Sequence, residues 1–146
     1  MKPSVFVDTD IVLDLLARRE PFYDAAARLF SLAETGSISL SVSSLTFANL
    51  FYILRKQVSG KHAHEVLRNF KQLVTVLPVD DVVIEQALKA GFTDFEDAVQ
   101  YYAALGAGCS ALLTRNGRHY RKAEMAVLSA EEFCAKSYVL TPNAII

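Results

Sequence analysis

The first stretch of the chain joins a short apolar run to a helical pattern. In VFVDTDIVLDLL, residues 5–7 follow one another without polar alternation, which is typical of a strand covered on both faces in a parallel sheet. Beyond Asp8, the apolar residues Ile11 and Leu15 repeat at helical spacing. The pattern therefore predicts a buried strand followed at once by an amphipathic helix, with Asp8 at the carboxyl end of the strand.

Strand and helix patterns alternate along the rest of the chain. Short apolar or alternating runs predict four more strands, in SISLSV, VTVLPV, SALLT and MAVLS. Helical periodicity predicts further helices in REPFYDAAARLFSLAETG, TFANLFYILRKQVSG, residues 62–74, residues 80–91 and FTDFEDAVQYYAALGAG. This alternation predicts an α/β sandwich around a mostly parallel sheet.

Two helix starts carry the spacing of a capping box, in which a Ser or Thr side chain and a Glu three residues later satisfy each other's backbone amides. Thr93 pairs in this way with Glu96, and Ser129 pairs with Glu132. The first box predicts that Asp94, Glu96 and Asp97 lie together in the first turn of a helix.

Length and composition indicate one compact domain. The chain has 146 residues, 52% of them hydrophobic, enough for a single sizeable core. We expect one domain over residues 1–146, with a C-terminal tail from about residue 137. Cys109 and Cys134 lie far apart in apolar contexts, which favours reduced core thiols.

Net charge and the lack of targeting signals restrict the expected partners and cellular location. The chain has 15 Lys and Arg residues and 16 Asp and Glu residues, so its net charge is close to zero. Any nucleic-acid binding therefore requires a local basic patch. The start, MKPSVFVDTD, lacks the apolar core of a signal peptide, and no run is long and apolar enough to span a bilayer. We therefore expect a cytoplasmic protein that does not bind membranes.

Polar side chains follow the predicted strands, at the point where each strand ends or the next helix begins. They are Asp8, Asp10, Asn49, Asp94, Asp97 and Asn116. In a parallel sheet they gather at the carboxyl edge, where α/β proteins bind ligands. Clustered carboxylates repel one another, and hard cations such as Mg²⁺ or Mn²⁺ offset that repulsion. The residue types therefore favour metal-dependent hydrolysis of a phosphodiester.

The acids also have a simpler interpretation. Asp8 or Asp10 is typical of a helix cap. Asp94 and Glu96 suit the positive end of a helix dipole in the same way.

The amides and threonines leave the same choice open. Asn49 lies within an apolar helical face, where a satisfied core amide is an equal alternative. Asn116 precedes Gly117 and is typical of a turn. Thr9 and Thr114 are candidates for supporting the site through hydrogen bonds, although ordinary caps explain them equally well.

Residues for contacting nucleic acid are less well defined. Arg115, Arg118, Arg121 and Lys122 form a basic run that suits RNA phosphates, although it is also typical of a solvated surface. His119 lies in the same loop. Tyr101 and Tyr102 are suited to base stacking or to a core or dimer contact.

Four motifs, in this order, resemble a known family. With the residue that each contributes, they are VFVDTDIVLDLL (Asp8), SSLTFANLFYIL (Asn49), DFEDAVQYYAA (Asp97) and LLTRNGRHY (Asn116). Their order and approximate spacing are similar to those of the PIN domain, the nuclease fold of VapC-type toxins, and the resemblance covers nearly the whole chain. It implies a three-layer α/β/α sandwich with about five strands, Mg²⁺ or Mn²⁺ held by three or four acids, and cleavage of single-stranded RNA or tRNA.

The resemblance also implies roles for individual residues. Asp8 and Asp97 would be the central catalytic metal ligands, Asp94 would be an accessory ligand or would orient water, and Asp10 would lie beside the first ligand. Asn49 stands where many members have Glu, and Asn116, a further candidate ligand, stands where many have Asp. Each asparagine keeps a carbonyl oxygen but removes one negative charge. Similar asparagines in a DFEDA-containing branch of the family indicate a subtype.

Two functions follow from the resemblance. The first is a metal-dependent endoribonuclease that forms the toxin of a toxin–antitoxin pair, with an antitoxin partner and a homodimeric assembly. The second is a degenerate PIN fold that binds RNA or protein without catalysis, which Asn49 and Asn116 motivate. A phosphatase is disfavoured because the sequence lacks a glycine loop that would cradle phosphate.

Overall fold

The computed structural model describes residues 2–120 and 124–140, apart from the side chains of residues 137–140. The strands are β1 Ser4–Val7, β2 Ser39–Ser43, β3 Thr75–Leu77, β4 Ala111–Leu113 and β5 Ala126–Leu128. The helices are α1 Thr9–Leu16, α2 Tyr23–Glu34, α3 Ser44–Leu54, α4 Gly60–Lys71, α5 Asp81–Lys89, α6 Phe95–Gly106 and α7 Ala130–Leu140, with a 3-10 turn at Gly117–Tyr120.

The five strands form one sheet in the order β3-β2-β1-β4-β5. Every neighbouring pair is parallel, and Val5 of the central strand lies opposite Leu40 on one side and Ala111 on the other. All five strands therefore end at the same edge of the sheet. The predicted parallel sheet of about five strands is confirmed.

The central strand is buried on both faces, as its apolar run predicts. Val5 and Val7 pack into one core cluster with apolar residues of α1–α4 and α7, whereas Phe6 packs into a second cluster with Leu112 and Tyr101. Successive side chains of a strand point to opposite faces, so these clusters lie on opposite sides of the sheet. Helices cover both, which confirms the three-layer α/β/α sandwich.

Helix α6 begins one residue later than the capping-box spacing indicates. Its N-cap is Asp94, whose Oδ1 accepts a hydrogen bond from the backbone amide of Asp97 at 3.1 Å. The prediction that Thr93 caps this helix is wrong, because Asp94 offers a better acceptor at the next position. The second box is confirmed: the Ser129 Oγ accepts from the amide of Glu132, and the Glu132 carboxylate accepts from the amide of Ser129.

The C-terminal helix runs through residue 140, so residues 137–140 are helical where the sequence predicts the beginning of a tail. The predicted basic residues Arg121 and Lys122, and the final residues 141–146, lie outside the described part. Cys109 and Cys134 are buried free thiols, as predicted. Among the described helices, none has the length and apolar character needed to cross a membrane.

Candidate active site

A cavity of about 370 Å³ opens at the carboxyl edge of the sheet. The carboxylates that line it are Asp8, Asp10, Asp94, Glu96 and Asp97. Asn49 and Tyr52 of α3 form another part of its wall, and Asn116 and His119 follow β4. All six polar residues that the sequence places at strand ends or helix starts therefore line one cavity.

Asp8 lies at the base of this arrangement, directly after β1. Its Oδ1 accepts hydrogen bonds from the Thr9 amide at 2.7 Å and from the Gln100 Nε2 at 3.1 Å, and its Oδ2 accepts from the Thr114 Oγ1 at 2.8 Å. Burial raises the pKa of Asp8, while the bonds from Thr114 and Gln100 oppose that rise. Asp8 thus caps α1 and also presents its carboxylate at the cavity.

Asp97 lies in the first turn of α6 and is held by the turn after β4. Its Oδ2 lies 2.9 Å from the Nδ1 of His119, and its Oδ1 accepts a hydrogen bond from the Tyr120 hydroxyl at 3.2 Å. Burial and the nearby Asp94 carboxylate raise the pKa of Asp97, whereas Tyr120 and His119 lower it. The two sides of this carboxylate therefore have defined partners 22 and 23 residues away.

The two asparagines each bind a carboxylate of the cavity. The Nδ2 of Asn49 donates to the Oε1 of Glu96 at 3.0 Å, and the Nδ2 of Asn116 donates to the Oδ2 of Asp10 at 3.1 Å. Asn49 is half-buried and lines the cavity, so it is not a core amide. The pKa of Glu96 is raised by burial and by the surrounding aspartates.

A network of arginines lies beside the acidic cavity. Asp14 is buried in α1, and its two oxygens each lie 3.1 Å from an Nε atom, Oδ1 from that of Arg19 and Oδ2 from that of Arg115. The Arg115 guanidinium also lies 3.9 Å from the ring centroid of Phe22. Arg115, which the sequence offers for RNA binding, is therefore engaged within the fold, and Arg118 is exposed but does not line the cavity.

A family model described as the PIN domain matches residues 4–118. The chain belongs to the PIN domain family. Ribonuclease VapC1 of Aquifex aeolicus (strain VF5) is 25% identical to it over 138 residues, which cover 91% of this chain and 94% of that protein.

Solved structures show the same fold. The structure of VapBC-1 from nontypeable Haemophilus influenzae matches with a TM-score of 0.68 and 16% identity, covering 88% of this chain and 98% of the other. A toxin–antitoxin complex from Klebsiella pneumoniae matches with a TM-score of 0.66 and 18% identity, covering 86% and 97% respectively. The family model and the similarity to Ribonuclease VapC1 confirm the resemblance of the chain to PIN domains of the VapC type.

Three residues of the candidate site escape prediction from the sequence. Gln100 and Tyr120 bind the two central aspartates, and Glu96 joins the cavity rather than only facing the helix dipole. The spacing of Asp97 and Gln100, three apart on one helix, is the one local signal available for Gln100. Of the two interpretations offered for Tyr101, the core contact is confirmed and base stacking is excluded, because the residue is 2% exposed and its hydroxyl accepts a hydrogen bond from the Glu124 amide.

The donor set of this PIN domain suits a hard divalent cation. Five carboxylates and two amide carbonyls are oxygen donors of the kind that Mg²⁺ and Mn²⁺ prefer, and mutual repulsion helps to raise the pKa of Asp8, Glu96 and Asp97. In residues 2–120 and 124–140, no three His, Cys, Asp or Glu side chains have the spacing of a closed metal site. Several carboxylate oxygens point instead to the protein donors described above.

Proposed function

We propose that this PIN domain is a ribonuclease dependent on Mg²⁺ or Mn²⁺ and the toxin of a toxin–antitoxin pair. The observation that carries the proposal is one cavity lined by five carboxylates, with no Lys or Arg among the described residues that line it. Such a charge cluster is costly without a cation, and a bound cation is what phosphodiester hydrolysis requires of it. The similarity to a protein named Ribonuclease VapC1 supports the same reaction.

In this proposal Asp8, Asp97 and Asp94 would hold the ion, and Asn116 would offer a carbonyl oxygen. When bound, the ion supplies an activated water and offsets charge on the phosphate. Gln100 and Thr114 keep the Asp8 carboxylate in place, and Thr9 donates its amide to it.

The two partners of Asp97 each contact one of its carboxylate oxygens. Burial and the neighbouring carboxylates raise the pKa of Tyr120 far above its ordinary value. Its phenol therefore keeps its proton and acts as a hydrogen-bond donor to Asp97. His119 contacts the other oxygen of the same carboxylate, so the two residues orient it toward the cavity from the turn after β4.

The asparagines are compatible with catalysis. The resemblance implies that Asn49 replaces a carboxylate. The Glu96 carboxylate of α6 lies beside it, however, and accepts a hydrogen bond from the Asn49 side-chain amide. Asn116 likewise contacts Asp10 rather than leaving that side of the cavity apolar. The cavity therefore retains five acids, which favours an active enzyme over a degenerate fold that only binds RNA or protein.

We also propose a substrate, a protein partner, an oligomeric state and a cellular location. The substrate would be single-stranded RNA or tRNA, the protein partner a cognate antitoxin, the assembly a homodimer and the location the cytoplasm. The toxin–antitoxin complex among the structural matches supports an antitoxin partner.

The proposed reaction is tested with a mixed RNA pool and Mg²⁺ or Mn²⁺. We expect Asp8→Asn and Asp97→Asn each to lower the cleavage rate at least about a hundredfold, because ion binding is worth several kcal/mol in the transition state and about 1.4 kcal/mol is tenfold in rate. Asp24→Asn, an exposed first-turn acid of α2 outside the cavity, is the matched control and should leave the rate unchanged.

Either of two results would contradict the proposal. One is full metal-dependent activity in both site variants. The other is a folded wild type that binds RNA but cleaves none of the pool with either ion, which would favour the degenerate binding module.

A further inference from the structure

Tyr52 is an exposed aromatic residue at the edge of the acidic cavity. It lies three residues after Asn49 on α3, so the two side chains share a helix face, and both line the cavity. Its side chain is 74% exposed and has no hydrogen bond, ion pair or ring contact in the described part of the chain. The fold therefore leaves an aromatic ring accessible beside the candidate metal ligands.

The same cavity is poor in groups that attract an anion. Its lining residues, all of them described, include five carboxylates but neither Lys nor Arg. Three nearby basic side chains are already paired with acids: His119 with Asp97, Arg115 with Asp14, and Arg19 with Asp14 and, at 3.6 Å, with Asp10. A phosphate chain would therefore be held here by a bridging cation and by uncharged contacts.

An aromatic side chain supplies such an uncharged contact. Nucleic-acid bases stack on Tyr, Phe or Trp irrespective of base identity, because every base has a π-face. Bases within a duplex already stack on their neighbours, whereas unpaired bases are free to stack on a protein. An exposed ring at this position is therefore suited to bind unpaired rather than paired RNA without using charge.

We propose that Tyr52 is a substrate-positioning residue on which an unpaired RNA base stacks, placing an adjoining phosphate at the acids of the cavity. This inference rests on the proposed ribonuclease function and names the residue that positions its single-stranded substrate at the cavity. Because none of the described residues that line the cavity is Lys or Arg, the stacking contact itself should depend less on salt than contacts that neutralise phosphates.

The test compares Tyr52→Leu and Tyr52→Phe in the full chain. A fluorescent single-stranded RNA oligonucleotide is titrated with each protein, with Ca²⁺ replacing Mg²⁺ and the integrity of the RNA checked on a gel. We expect Tyr52→Leu to weaken binding about tenfold, since one stacked base contributes roughly that much. Tyr52→Phe retains the ring and should bind within about twofold of wild type.

Leu88→Ala is the matched control. Leu88 is 70% exposed on α5 and does not line the cavity, so its removal should leave RNA binding unchanged. A 5-iodouridine placed in the oligonucleotide should crosslink to Tyr52 on irradiation. Sedimentation of each variant shows whether Tyr52 instead joins two copies of the chain.

The outcomes separate this inference from the proposed function. Equal RNA affinity for Tyr52→Leu and wild type, or a change in oligomeric state without a change in affinity, overturns the inference and leaves the function intact if wild type still cleaves RNA. Weaker binding by Tyr52→Leu with retained binding by Tyr52→Phe supports it, even if no RNA is cleaved, in which case only the proposed function fails. Wild type that neither binds nor cleaves RNA overturns both.

Discussion

Among single residues, Gln100 shows how the site holds a buried charge. Its side chain is 1% exposed, its Nε2 donates to Asp8, and its Oε1 has no hydrogen-bond partner among the described residues. An unsatisfied buried acceptor costs about 1–3 kcal/mol. A glutamine that served only to fill the core would not offset that cost. We therefore infer that Gln100 orients the Asp8 carboxylate.

Gln100→Leu tests this role. The change keeps the approximate volume, removes the donor to Asp8 and also removes the unsatisfied oxygen. We expect affinity for Mn²⁺, measured by calorimetric titration, to fall by roughly 10- to 100-fold, as is usual when a residue that orients a metal ligand is lost. Gln86→Leu, at an exposed position of α5, is the control. Unchanged Mn²⁺ affinity in the Gln100 variant would show that Asp8 needs no such support.

At the scale of elements, the helix starts show which residues are structural and which serve the site. Asp80 caps α5, because its Oδ1 accepts a hydrogen bond from the backbone amide of Val83 at 3.1 Å. No residue of α5 lines the acidic cavity. Asp94 makes the equivalent bond at α6 and lines the cavity as well. The same cap chemistry is thus purely structural in one helix and combined with a site in the other.

Asp80→Ala should therefore destabilise the fold without altering the chemistry. Loss of an N-cap costs about 1 kcal/mol, so we expect the free energy of unfolding to fall by about that amount. Asp81→Ala, in the first turn but without a cap bond, should cost less. Denaturant titration measures both values, and equal losses in the two variants would argue against the cap. RNA cleavage per folded molecule should stay unchanged in each.

For the whole molecule, charge distribution matters more than net charge. The chain carries a net charge of −1, yet five of its carboxylates line one cavity. The pKa values of Asp8, Glu96 and Asp97 are all raised, with burial as the largest cause in each. Because these groups bind protons more tightly in the folded than in the unfolded state, their contribution to stability is present at low pH and is lost as pH rises through the folded pKa values.

Asp97→Asn isolates one of these groups. Without divalent metal, we expect the variant to be more stable than wild type at pH 7.5, because it lacks a carboxylate whose ionisation opposes folding. The difference should shrink as the pH falls toward about 4, the ordinary pKa of an aspartate. Unfolding free energies across this range provide the measurement. A difference that grows toward low pH would show that His119 and Tyr120 outweigh burial. Added Mn²⁺ should stabilise wild type more at pH 7.5 than at pH 5.5, since protons compete with the ion.

The sequence by itself determined the elements and the edge at which the site forms. The unbroken apolar run of β1, the capping box at Ser129 and the polar residues at strand ends and helix starts are local patterns. Such patterns reflect interactions within a few residues, so they are readable without knowledge of the fold. Parallel connectivity then requires Asp8, Asp97 and Asn116 to share one edge, although 108 positions separate the first from the last.

Only the tertiary structure decided the partners of these side chains. Gln100 lies 92 residues from Asp8, and Glu96 lies 47 residues from Asn49, yet each pair is hydrogen-bonded. Arg115 contacts Asp14 instead of facing the cavity. Such pairings depend on how helices pack across the sheet and on where long side chains then reach. No local pattern encodes helix packing across the sheet. The sequence therefore could not show that Tyr52, rather than Tyr101, is the aromatic residue that lines the acidic cavity.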